Sequence, residues 1–84
     1  MAGDPKKYRI EIRRSSGESW QPVRTVEISC GETPSLPLDL PAAVRIWLKL
    51  LAESCRYDPG IVPNHHTMAA GDAHYQLDFQ ESSP

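Results

Sequence analysis

The chain has 84 residues, of which 39% are hydrophobic and 24% charged, and carries a formal net charge of −2. That length leaves room for one core and excludes a second domain. The composition is too apolar for a disordered chain, and the charge is too slight to establish a nucleic-acid partner. Charge is nevertheless unevenly spread: residues 57–84 hold Asp58, Asp72, Asp78 and Glu81 with no Lys or Arg, whereas residues 1–30 are mildly basic. Eight prolines against five glycines predict stiff, ordered loops. A domain of this size buries only about 60% of its unfolded surface, so its stability is expected to be marginal without a covalent staple.

Residues 1–6 read as a polar, frayed lead with no apolar core of a signal peptide behind them. The longest apolar stretch is broken by Arg45 and Lys49, which excludes a membrane span there, and a cytoplasmic location is the expectation. Residues 7–13 alternate: Tyr8, Ile10 and Ile12 face one side and Arg9, Glu11 and Arg13 the other, the period of a half-buried strand. Residues 14–19 form a turn. Trp20, Val26 and Ile28 then share one phase of a second strand, with Thr25 and Glu27 on the opposite phase. Pro22 implies that this strand is at a sheet edge or starts after the proline, and Val23, out of phase, predicts a β-bulge.

Residues 31–39 connect to a helix spanning residues 40–55, with Asp39 as the N-cap and Pro41 in the first turn. Leu40, Ala43, Val44, Trp47, Leu48, Leu51 and Cys55 recur at three- and four-residue steps, widened by Ile46 and Leu50, as a core-facing stripe. Arg45, Lys49, Glu53 and Arg56 mark the solvated side, and residues 58–60 end the helix. Tyr75, Leu77 and Phe79 alternate as a last strand. Gly71 and Asp72 form a two-residue turn back to a partner strand over residues 65–69, failing which residues 57–72 are one long loop. Residues 80–84 read as tail. The fold class is therefore α+β: a short antiparallel sheet of three to four strands (β-β-α-β, or β-β-α-β-β) covered on one face by a single amphipathic helix.

Chemistry is sparse. His65, His66 and His74, with Asp72 nearby, are the one group of metal-ligand type, yet their spacing matches no zinc pattern and solvated loop histidines are the better reading. No nucleophile elbow and no Gly-rich phosphate loop occurs. Cys55 lies on the apolar stripe, where a structural thiol is expected. Two readings stand for Cys30 and Cys55: a bridge contributing about 3–4 kcal/mol, or reduced thiols, which a cytosolic location favours. So short a chain also leaves little room beside its core for a pocket of about 300 Å³ or more. No catalytic residue, metal or cofactor is assigned, and no enzymatic activity is expected.

The remaining signals concern binding. Arg9, Arg13, Arg14 and Arg24 are read as a basic patch on the exposed sheet face and its turn, interleaved with Glu11, Glu18 and Glu27. Such a face suits single-stranded nucleic acid, or else simply holds solvated cross-strand ion pairs. Pro34 and Pro37 match a P-x-x-P pattern, better read as a rigid loop. Trp20 either anchors an interface or folds over the core beside Trp47. An unpaired strand edge favours strand addition or a homodimer.

The strands KYRIEIRR (residues 7–14) and VRTVEI (residues 23–28), with the helix AAVRIWLKLL (residues 42–51), give a layout that resembles the small inhibitor proteins of phages and mobile elements, among them anti-CRISPR proteins. The resemblance is architectural and transfers no residue roles. It implies a non-catalytic domain that blocks a larger host complex by binding it. Partner-binding residues are then expected among Arg9, Arg13, Arg14, Trp20, Arg24, Asp72 and Asp78, with nucleic-acid binding through the arginines as the alternative.

Overall fold

The computed structural model describes residues 6–82. In chain order the elements are β1 (Lys7–Ser15), β2 (Trp20–Ser29), α1 (Ala42–Ser54), a 3-10 turn (Pro59–Ile61), β3 (His65–Ala70) and β4 (Ala73–Glu81). The strands form one antiparallel sheet in the order β2-β1-β4-β3. The two hairpins are therefore joined through their inner strands, β1 and β4, and α1 covers one face. This is the expected α+β layout in its longer form, β-β-α-β-β.

Alternation in β1 and β4 generates the core. Tyr8, Ile10 and Ile12, with Tyr75, Leu77 and Phe79, point to the helix side and are buried. Val26 and Ile28 extend this floor into β2, and Leu40, Val44, Leu48, Leu51 and Ala52 close over it from above. Trp47 reaches the far side of the floor. Its ring stacks on His66 of β3, with centroids 4.1 Å apart and planes 5° from parallel, and meets Phe79 edge-on at 5.9 Å.

Several boundaries differ from the sequence expectation. The expected tail at residues 80–84 begins later, because Gln80 and Glu81 remain in β4 and the Ser82 N–H donates to the Lys7 carbonyl at 2.9 Å. Ser83, Pro84 and most of the expected frayed lead, residues 1–5, lie outside the described residues. The helix runs over Ala42–Ser54 rather than residues 40–55. Asp39 does not cap it. Pro41 takes the capping position in an extended conformation, which carries Asp39 too far upstream to reach the first helical N–H groups. The Asp39 carboxylate accepts from the Arg24 guanidinium instead, and Arg45 Nε satisfies the Leu40 carbonyl at 3.0 Å. Asp58 is a cap of another kind: its Oδ1 accepts from the Gly60 N–H at 3.1 Å and starts the 3-10 turn.

Cys30 and Cys55 form a disulfide with Cα atoms 5.2 Å apart, so the reduced-thiol reading does not hold in this structure. The bridge joins the end of β2 to the end of α1. Beside it, the Gly31 N–H donates to the Ala52 carbonyl at 2.8 Å, and Gly31 takes a φ of +87° with Arg56 packed against it. A side chain at Gly31 would meet both that backbone strain and the Arg56 stem.

Candidate interaction surfaces

The bulge predicted near Pro22 is present, and it redistributes the candidate residues. Pairing between β1 and β2 is regular from Lys7↔Ser29 to Ile12↔Arg24; the next pair is Arg13↔Pro22, leaving Val23 without an opposite residue. One extra residue reverses the phase of everything before it. Trp20 is thus opposite Ser15, on the face away from the helix, not in phase with Val26 and Ile28 as the sequence reading had it. It does not fold over the core beside Trp47: Trp20 is 41% exposed and Val23 is 42% exposed.

The four arginines do not make one patch. Arg9 and Arg13 lie on the open face, where Arg13 contacts both Asp78 of β4 and Glu11 (3.4 Å), and Arg9 sits 3.7 Å from Glu11. The reason is in the register. Glu11 and Asp78 are directly opposite each other, and two opposed carboxylates need a cation between them. Arg24 is on the helix side, paired with Asp39. Arg14 falls on the same side in register with Gln21 and Tyr75, and borders a recess with residues of the 16–19 loop. Asp72 is exposed in the β3–β4 turn. That turn and the 16–19 loop lie at one end of the sheet, because Ser15 pairs with His74. Arg9, Arg13, Trp20 and Asp78 therefore share the open face, while Arg14, Arg24 and Asp72 do not.

The bulge also opens a shallow surface recess of about 380 Å³, bounded by Glu11, Arg13, Pro22, Val23 and Thr25. It lies in the buckled outer strand rather than beside the core, where little room for a pocket was expected. The β3–β4 hairpin does not bring His66 and His74 together. His66 points to the helix face, opposite Leu77, and His74 to the open face, opposite Ala69. Among the described residues no cluster of three or more His, Cys, Asp or Glu is placed to hold a metal ion.

Sequence reasoning missed a second exposed surface. Ile46 and Leu50, assigned to the widened core stripe, are 57% and 58% exposed. At about 100° per residue Ile46 is on the far side of α1 from Val44 and Leu48, and Leu50 is well round from them, which their spacing could have shown. Trp47 lies on the same flank as Leu50, turned toward β3. The opposite flank is charged: Lys49, Glu53 and Arg56 border a groove with residues 31–34 of the connector that follows β2. Among the described residues no helix is long and apolar enough to cross a membrane. No protein-family model, curated protein or solved structure matches the chain.

Proposed function

We propose that the chain is a non-catalytic protein-binding domain, an inhibitor of the phage or mobile-element type that blocks a host defence complex such as a CRISPR effector. The observation that carries this reading is the exposed Trp20 on the open sheet face, two residues along β2 from Pro22 of the bulge recess and on the same face as Arg13, Arg9 and Asp78. An aromatic anchor with a charged surround is the usual composition of a binding hot spot. The ion pairs on that face favour protein binding over the nucleic-acid alternative. Arg9 and Arg13 are engaged by Glu11 and Asp78, so a phosphate would have to compete with carboxylates already in place.

Acting on such a complex puts the protein in the cytoplasm, where glutathione and thioredoxin keep most thiols reduced. The inhibitor must then either fold with its bridge reduced or protect it, and the full burial of Cys55 serves the second course. The test is titration of the purified chain into reconstituted CRISPR effectors during cleavage of target DNA. Stoichiometric inhibition that Trp20→Ala weakens by about 30-fold, the equivalent of a 2 kcal/mol anchor, is expected. Cleavage unaffected by the chain across the effector classes would remove the CRISPR assignment.

A further inference from the structure

We infer that β3 is a homodimerisation edge, at which two copies join antiparallel into one continuous sheet. The inference is independent of the function proposed above, since it uses the edge opposite the bulge. Among the described residues both outer strands leave backbone groups unpaired, but they are defended differently. The Cys30 N–H donates to the Lys6 carbonyl, so by alternation Thr25, Glu27 and Ser29 direct their N–H and C=O groups outward from β2. That edge carries a proline, a bulge and a charge, three of the devices that stop edge-to-edge pairing. A second copy centred on it would set Glu27 against Glu27.

β3 has none of these defences. Its sequence, HHTMAA, contains no Lys, Arg, Asp, Glu or Pro, and its pairing with β4 runs from His65↔Asp78 to Ala70↔Ala73 without a shift. The Phe79 N–H donates to the Asn64 carbonyl at 2.9 Å, which fixes the alternation and turns the N–H and C=O groups of His65, Thr67 and Ala69 outward. A two-fold axis at Thr67 brings these three residues into register with those of a second copy. Thr67 meets Thr67 and His65 meets Ala69, each pair exchanging two hydrogen bonds. Thr–Thr is a favourable cross-strand pair, and no like charges are opposed. On the helix side the same register sets Met68 against His66 of the second copy, a thioether beside an imidazole that already stacks on Trp47. Of the exposed apolar residues of α1, Leu50 is on the Trp47 flank, the β3 side of the helix, so both copies turn it toward the seam, whereas Ile46 faces away from the sheet. The charged flank faces away, toward the connector.

Sedimentation equilibrium of the purified chain is expected to give twice the 9.4 kDa chain mass at concentrations of tens of micromolar. Thr67→Pro removes an N–H that points away from β4, so the fold is retained by circular dichroism while the dimer dissociation constant rises by about tenfold or more. Thr67→Cys under mild oxidation is expected to yield a covalent dimer, because residues facing each other across a hydrogen-bonded pair lie within disulfide reach, and Glu27→Cys is not. This cross-link supports the pairing even if the proline variant fails to fold. A chain that stays monomeric at about 0.5 mM overturns the inference. So does a dimer indifferent to Thr67→Pro and not cross-linked through residue 67. A monomer whose capture of another protein is weakened by Thr67→Pro assigns the edge to a foreign strand, which also overturns self-pairing.

Discussion

The two hairpins of this sheet solve the same problem in opposite ways. The second closes with two residues: Gly71 at φ +65° followed by Asp72 at negative φ, the pattern of a type II′ turn whose twist suits the strands it joins. Its register is unbroken, its outer strand is uncharged, and it meets the helix through the core residues of β4 and through Trp47, which stacks on His66 and touches Phe79 edge-on. The first closes with residues 16–19, is buckled at Val23, and carries charged residues on both faces. It is held to the rest of the fold by a covalent bridge at one end and the Arg24–Asp39 pair along its length. Regularity comes with an exposed, pairing-competent edge; irregularity protects the edge and displays a tryptophan. Three changes to the molecule test how far each hairpin depends on its own device.

The largest effect is expected from the bridge. Cross-linking two residues 25 apart removes unfolded-state entropy equivalent to about 3–4 kcal/mol. In a domain that small this is a large share of the whole stability. Paired Cys30→Ser and Cys55→Ser substitutions, or reduction, are expected to lower the denaturation midpoint by an amount matching that loss, measured by urea titration with and without reductant. Hydrogen exchange should rise first in β2 and the end of α1, which the bridge joins, before β3 and β4. Equal midpoints in both redox states would show that packing, not the bridge, holds the first hairpin.

Trp47→Ala is the corresponding lesion for the second hairpin. It removes the ring between His66 and Phe79 but leaves the bridge untouched, and a half-buried tryptophan is expected to cost about 2 kcal/mol. Here exchange protection should fall in β3 before β2, the reverse of the cysteine variant. A uniform loss of protection across all four strands would mean that the two hairpins unfold as one unit and that their separate anchors are a feature of geometry alone.

What the sequence revealed follows the same division. Strict alternation in β1 and β4, and the glycine-led turn between β3 and β4, are local signals, and they located the inner strands and the second hairpin. The helix was legible from its apolar spacing, but its cap was not: Asp39 has the side chain of a cap, yet Pro41 displaces it and a cross-element pair with Arg24 claims it. The candidate site was legible in its residue types and misplaced in its geometry. Grouping four arginines by sequence proximity ignored that Arg9 and Arg13 occupy one face and Arg14 and Arg24 the other. Trp20 was put on the wrong side by counting through Val23 at a strict period of two. The disulfide depends on where β2 and α1 end in space, which no local pattern encodes.

The smallest expected effect is the most discriminating. Deleting Val23 leaves every observed β1–β2 pair intact, from Lys7↔Ser29 to Ser15↔Trp20, because Val23 has no opposite residue. Trp20 should therefore stay on the open face and stability should change by no more than about 0.5 kcal/mol, the range of surface changes that touch no core. What changes is the edge. A straightened β2 loses its local extra twist and the recess beside Arg13, and becomes more like β3. If the bulge is an edge defence, the deletion variant should gain concentration-dependent association that Glu27→Thr strengthens and Thr67→Pro leaves untouched, seen by analytical ultracentrifugation. A deletion variant with unchanged association but a melting temperature several degrees lower would assign Val23 to the folding of the first hairpin instead, and Pro22 and Glu27 would then suffice to keep that edge unpaired.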